Sequence, residues 1–364
     1  MERGVRLSPD SAGYKACSTN DRCRRRHAPR TTADNGQRVS LVTYRRRSGG
    51  GIAAEHSGSV RVIIAAIAGN VAIAICKFGA ALVTGSAAMY SEAIHSTVDT
   101  GNELLLLFGM HRADKPPDAE HPFGYGLQLY FWVFVVAVMI FGLGALVAFY
   151  EGVEKILHAE PARYVVVNYI VLGASIVFEA GSWFVAFREF RHQRGRLGWL
   201  EAVRRSKDPT VFTVLFEDSA ALIGLVIALI GIALAEKLEM PRLDGIASLG
   251  IGVVLSATAA FLAYESQSLL TGEAVHPEVR AEIERIAKMA PGVVGTNQVL
   301  TMHFGPHEVL AALSLDFDDR RSAADVEAAV TCIEREIKAA FPEVTRVFVE
   351  AKDRNASSQT ETPV

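Results

Sequence analysis

Ser91-Glu92-Ala93-Ile94-His95-Ser96-Thr97-Val98-Asp99 is a polar stripe inside a stretch otherwise apolar enough to lie in lipid. Ionisable side chains are costly there, so they face the protein interior and mark ion or proton pathways. His95 and Asp99 are four residues apart and share one face of a helix. Glu92 and Asn102 fall on the same three- and four-residue spacing. An imidazole nitrogen and a carboxylate oxygen one turn apart can grip a single divalent metal ion. The structural alternative is helix–helix glue, with His95 merely hydrogen-bonded to a neighbour. Four polar residues in register, with acids in other spans, favour the ion-binding reading.

Half of the 364 residues are hydrophobic, and they are gathered in long runs. About 20 apolar residues cross a hydrocarbon core. Six runs have that length: residues 61–83, 86–110, 127–150, 165–188, 210–235 and 243–264. A tight turn at Thr84-Gly85 separates the first two. The expected architecture is a mainly α membrane protein, with a six-helix transmembrane domain over 60–270.

The net charge of −3 hides an uneven distribution. The first sixty residues hold twelve Lys/Arg against five Asp/Glu, including Arg24-Arg25-Arg26 and Arg45-Arg46-Arg47. The loop after the second span carries His111, Arg112 and Lys115. The loop after the fourth carries Arg191, Arg194, Arg196, Arg204, Arg205 and Lys207. The opposite loops hold Arg163, and Lys237 with Arg242 beside Glu236 and Glu239. The positive-inside rule then puts both termini in the cytoplasm. Residues 1–59 read as a disordered basic tail, and its Cys17, Cys23 and His27 are better explained by disorder than by a metal cluster. An Arg-rich, acid-poor start also fits a transit peptide. Four scattered cysteines do not make a disulfide framework.

From Thr271-Gly272 the composition becomes that of a small soluble domain, 271–353, followed by a short disordered tail, 354–364. Helix, strand, strand, helix, strand is the expected order, with the second strand alternating Val309, Ala311, Leu313, Leu315 and Phe317. That order suggests a ferredoxin-like α+β sandwich, placed in the cytoplasm by the charge rule.

Further acids lie in other spans. Glu217-Asp218 opens the fifth, where adjacent helical residues point about 100° apart, so both cannot face one ion ideally. Glu179 lies within the fourth, as a proton carrier, an ion-path residue or an interhelical hydrogen-bond partner. The loop after the second span reads Asp118-Ala119-Glu120-His121-Pro122-Phe123-Gly124-Tyr125-Gly126.

This loop, the His-x-x-x-Asp of the second span and the layout of spans plus sandwich resemble the cation diffusion facilitator family. The resemblance covers roughly Val62 to Asp353. Within the family, Glu179 and Glu217-Asp218 look most like the branch holding the mitochondrial-type zinc transporter and its bacterial relatives. The resemblance implies proton-coupled divalent cation export by alternating access in a homodimer, with no prosthetic group and no enzymatic activity. Its central metal site takes two ligands from the second span and two from the fifth. His95, Asp99 and Asp218 match; the usual fourth position is Val214, which cannot coordinate. Glu217 is the first candidate to replace it and Glu179 the second. Glu92 and Asn102 are left to the proton path or to alternative ligation. A loop site seen in some members is weak here: Asp118 and His121 match, but Tyr125 replaces a second histidine. Where members place metal-binding residues in the soluble domain, this chain has Asn297, Leu313, Glu350 and Lys352. His303, His307 and Glu308 flank a turn and fit a different metal site or an exposed polar turn, the latter being favoured.

Imidazole suits zinc, whereas all-oxygen sites suit harder ions. Metal needs neutral imidazole and ionised carboxylates, so protons compete with it, and imidazole titrates near neutrality. The expected activity is zinc efflux by proton antiport, with divalent ions, protons and lipid as partners and no nucleic acid. The expected location is the bacterial plasma membrane, or a mitochondrial membrane in a eukaryote. The alternatives are a manganese-, iron- or cadmium-selective exporter and a non-transporting metal sensor or assembly scaffold. An intramembrane hydrolase would need a nucleophile or a denser metal motif, and neither is evident.

Overall fold

The structure is a computed structural model that describes residues 50–84, 87–159, 165–194 and 198–353. The readings placed on residues 1–49 with their cysteines, the Gly85 turn, Arg163, Arg196 and the tail 354–364 lie outside the described residues, whereas residues 50–59, read as the end of a disordered tail, are helical. Long helices come first: α1 (Gly50–Thr84), α2 (Ala87–Ala113) and α3 (Leu127–Met139). A π-helical segment (Ile140–Ala145) joins α3 to α4 (Leu146–Leu157), so these three form one continuous rod. Then come α5 (Val165–Arg194), the short α6 (Trp199–Arg205), α7 (Thr210–Lys237) and α8 (Arg242–Leu270).

Among the described residues, five stretches are long and apolar enough to cross a bilayer: Gly58–Thr84, Leu127–Leu157, Val166–Arg194, Thr210–Lys237 and Arg242–Leu270. The sixth run expected from the sequence is α2. It is as long, at 27 residues, but Glu92, Asp99 and Glu103 keep it out of that class. The third span runs on to Leu157, beyond the Tyr150 boundary read from the sequence. In that extension Lys155 reaches Asp244 of α8 at 3.1 Å, so its charge is answered within the bundle.

The helices pack around a core of Val62, Ile63, Leu106, Tyr130, Val133, Phe212, Val214 and Leu262. Each such buried side chain contributes roughly 1.5–3 kcal/mol relative to exposure. The Tyr130 hydroxyl, inside that core, donates to the Lys207 carbonyl at 3.0 Å. This ties α3 to the segment that enters α7. Helices α4 and α8 meet backbone to backbone: a Cβ on Gly245 would stand 2.7 Å from the Gly152 carbonyl oxygen and 3.0 Å from the Ile156 amide nitrogen. Only glycine permits that approach.

Helix α8 ends at Leu270, and Gly272 turns the chain with φ of +89°. Beyond it lie α9 (Pro277–Lys288), β1 (Val293–Gly305), β2 (Glu308–Phe317), α10 (Ala323–Ala340) and β3 (Val344–Ala351). The sheet order is β1-β2-β3. β1 and β2 are antiparallel, β2 and β3 parallel, with α10 as the crossover. The alternation read from the sequence is the observed one: Val309, Ala311, Leu313 and Leu315 are buried. They pack on Ile283 and Ile286 of α9 and Ile333 and Ile337 of α10. Ser322 starts α10 with a reciprocal capping box to Asp325, an arrangement that supplies about 1 kcal/mol.

Gly245→Val places three carbons where backbone now sits. Overpacking of this kind costs about 1–3 kcal/mol. The expected result is a lower melting temperature of the purified protein, while Gly173→Val, at a position with open space around it, changes little.

Candidate metal-transport cavity

The polar stripe faces a cavity of about 120 Å³ within the bundle. From α2 it is lined by Glu92, His95, Asp99 and Asn102, from α5 by Glu179, and from α7 by both Glu217 and Asp218. All the residues singled out in the spans therefore border one space. The expectation that Glu217 and Asp218 diverge is met in an unexpected way. Asp218 accepts a hydrogen bond from the Ser182 hydroxyl of α5 at 2.7 Å. Glu217 accepts one from the Asn102 amide of α2 at 2.9 Å. The two acids diverge, and the cavity meets both because α7 lies between the polar faces of α5 and α2. Val214 is fully buried in the apolar core and takes no part in the lining.

Burial is deep: Asn102 is 1% exposed, Asp218 2%, Glu179 5% and Glu217 9%. One carboxylate oxygen each of Glu179 and Glu217 has no hydrogen-bond partner among the described residues. Such a group costs about 1–3 kcal/mol when left unmet. These oxygens are free acceptors for a cation or a proton. Among the described residues, no three His, Cys, Asp or Glu side chains close on one point as a metal cage. The donors border one space without gathering around a centre.

Two residues of the cavity lining, Lys77 and Asn70, and the neighbouring Glu103 were not found by sequence reading. Lys77 of α1 donates to Glu92 at 2.9 Å and to Ser96 at 3.0 Å. Asn70 of α1 donates to Glu103 of α2 at 2.5 Å, and Glu103 is fully buried. The signals were present. Lys77 is a cation inside an apolar run, and Glu103 continues the four-residue series after Asp99. The π-helical segment also borders the cavity through Ile140 and Gly144. A Cβ on Gly144 would stand 3.8 Å from His95 Cε1, so this wide turn backs the imidazole. π-segments commonly sit at functional places.

The cavity has a direction. Its lining runs from Asn102 and Glu217 towards Glu92, Lys77, Leu172 and Ala228, away from the C-terminal domain. On the nearer side Glu103, Leu106, Met110, Phe212 and Leu215 are all buried.

The loop after α2 is arranged differently from a metal site. Asp118 accepts from the Tyr125 hydroxyl at 2.6 Å and from the amides of Glu120 and His121 at 3.0 and 2.7 Å. The tyrosine bond, first, and the amides hold its carboxyl below the usual range. His121 Nδ1 stays 3.7 Å from Asp118, its ring against Tyr125. The same loop docks on the C-terminal domain. Phe123 stacks on Phe304 at 4.9 Å between ring centres. Arg346 donates to the Pro122 carbonyl at 2.7 Å and lies over the Phe123 ring.

In the C-terminal domain, Leu313 is buried core and the Asn297 amide donates to the Lys352 carbonyl at 2.8 Å. His303, read as part of an exposed polar turn, is instead 5% exposed on β1. Its backbone amide donates to the Glu273 carbonyl at 3.0 Å, and the Glu273 carboxylate pairs with Lys207 at 2.9 Å, joining this domain to the bundle. Burial, with the Lys207 charge adding to it, lowers the His303 imidazole to about 4.

An apolar helical bundle enclosing a cavity of carboxylates and one imidazole is that of an integral membrane protein with a polar interior. A family model of the cation efflux transmembrane domain matches residues 63–271. The chain belongs to the cation diffusion facilitator, or cation efflux, family, whose members are transporters and not enzymes. The mitochondrial proton-coupled zinc antiporter SLC30A9 of Mus musculus is 33% identical over 265 residues, which is 72% of this chain and 47% of the relative. Its Homo sapiens counterpart is 34% identical over the same shares. This chain thus spans about half the length of those relatives. The cation-efflux pump FieF of Cronobacter sakazakii is 26% identical over 282 residues, 78% of this chain and 89% of the pump.

His303 gives a pH prediction. Its folded-state value lies below the unfolded value of about 6.5. The stability it contributes is present above pH 6.5 and is lost as pH falls towards 4, by up to about 3 kcal/mol. Thermal unfolding of the full chain from pH 7 to 4 should show this loss, and His303→Gln should flatten it.

Proposed function

We propose that this chain exports a divalent cation, zinc first, from the cytoplasm in exchange for protons. The observation that carries this reading is the single cavity bordered by His95, Asp99, Glu179, Glu217 and Asp218 inside an apolar bundle. The names of the relatives support zinc and protons as the exchanged species. His95 supplies the nitrogen donor, and Asp99 and Asp218 the first oxygen donors. The fourth is Glu217, whose unpartnered oxygen and Asn102 support suit a ligand that must turn inward. Glu179 is the second choice. Asp118 has its oxygens engaged within the loop, which leaves the loop site with His121 weak.

Three donor-bearing helices bordering an open space must close to give zinc its tetrahedral shell. We assign that closure to alternating access between two states of the bundle. The present form, with its cavity running away from the C-terminal domain, is the outward-facing one. Protons arriving there compete for the carboxylates and the imidazole and release the metal. In this reading α2 is the sixth span, the C-terminal domain is a cytoplasmic ferredoxin-like module, and both termini are cytoplasmic. The working unit is a homodimer in a bacterial plasma membrane, or in a mitochondrial membrane if the source is eukaryotic.

The test is zinc flux in proteoliposomes under an imposed pH gradient, with zinc affinity measured on the same preparations. Asp99→Ala should reduce flux to background while eluting as a folded protein. Glu217→Gln should weaken zinc binding at least tenfold, or about 1.4 kcal/mol, and Glu179→Gln should do less. Full flux in Asp99→Ala contradicts the site. Full affinity in Glu217→Gln with loss in Glu179→Gln reassigns the fourth ligand. Zinc binding without flux in the wild type points to a sensor or scaffold.

A further inference from the structure

A second cavity, of about 690 Å³, lies between α1 and α5. Ser59 beside it donates to Asp208 at 2.7 Å, next to the Lys207–Glu273 link, so it stands at the end of the bundle near the C-terminal domain. Arg61, Arg188, Arg191 and His192 line it, with Glu189 as the only acid of the lining among the described residues. Arg61, Arg188 and Arg191 have no ion-pair partner among the described residues. Glu189 accepts only a long 3.3 Å bond from Gln193 of its own helix. Three guanidinium groups without an ion-pair partner among the described residues border one open cleft, where an anion at that level can meet them.

The depth of the cleft identifies the anion. The α1 span, Gly58–Thr84, has 27 residues, or about 40 Å of helix against a hydrocarbon core of about 30 Å. Its first few residues, up to Arg61, therefore stand at headgroup level, as do the last few of Val166–Arg194. Aromatic side chains mark the same level. Trp183, Phe187 and Trp199 stack in series, and Arg194 lies 4.4 Å over Trp199. Towards the bilayer centre the wall becomes apolar and open. Ile64 lies one turn from Arg61 and is 53% exposed; Phe184 lies one turn from Arg188 and is 59% exposed. The residue 1–49 segment is a poor occupant, since it carries twelve Lys/Arg against four acids.

We propose that this cleft binds the headgroup phosphate of an anionic phospholipid, with an acyl chain along Ile64, Val185 and Phe184. Guanidinium forks suit phosphate oxygens, and basic pockets between spanning helices hold anionic headgroups.

The experiment uses the purified full chain in phosphatidylcholine nanodiscs with or without 20% phosphatidylglycerol, and in detergent with inorganic phosphate. Phosphatidylglycerol should raise the melting temperature, and native mass spectrometry should retain it on the chain. Phosphatidylcholine and inorganic phosphate should do neither. Arg188→Gln/Arg191→Gln should cut retained lipid at least tenfold, whereas Arg280→Gln/Arg320→Gln, outside the bundle, should not. If the first double variant fails to fold, Arg61→Gln opens the cleft from the α1 side and carries the same expectation. Undiminished retention in the cleft variants overturns the proposal. An equal shift with inorganic phosphate makes the cleft a free-phosphate site and overturns it as well.

Discussion

The structure depends on one constraint: charged groups placed in lipid must find partners inside the protein. Each such residue at a span centre costs about 2.5–3.5 kcal/mol to insert. Helix α2 carries Glu92, Asp99 and Glu103, and α5 and α7 add Glu179, Glu217 and Asp218. The bundle meets these with Lys77 on Glu92, Asn70 on Glu103, Asn102 on Glu217 and Ser182 on Asp218. Most of these partners are neutral, so the site stays acidic. A bundle built only for stability would replace such pairs with packed apolar groups at little loss.

The same accounting separates structural polarity from functional polarity. Glu92 is held by a full positive charge and Ser96 by the same ammonium. Glu103 lies outside the cavity lining, with one oxygen taken by Asn70 and the other without a partner among the described residues. Glu179 and Glu217, which border the cavity, also each keep an unpartnered oxygen. A full positive charge thus meets the stripe at Glu92, while Glu103, Glu179 and Glu217 have neutral partners or none. The loop Asp118–Gly126 is the second mechanical element. Its Phe123–Phe304 stack and Arg346 contacts give the C-terminal domain a hold on the α2–α3 connection.

Much of this was legible in the sequence because the bilayer restricts the choices. The apolar runs located the helices, and the three- and four-residue spacing put His95 and Asp99 on one face. The alternation of Val309 to Leu315 gave the inner face of β2. What was missed involves partners distant in sequence. Nothing local says that Lys77 meets Glu92, that Asn70 meets Glu103, or that α7 lets both Glu217 and Asp218 reach one space. His303 was misread because its burial, 5% exposed beside Glu273, depends on contacts outside its own turn. The third span runs past Tyr150 to Leu157, and the pairing of its Lys155 with Asp244 joins residues far apart in sequence.

The central claim is that the divalent ion is held by α2 and α7 in this cavity. A zinc-bound structure with anomalous scattering measured at the zinc edge tests it most directly. The account predicts a peak bounded by His95, Asp99 and Asp218, with a carboxylate from Glu217 or Glu179 completing the shell. A peak only at Asp118 and His121, or only within the C-terminal domain, would contradict it.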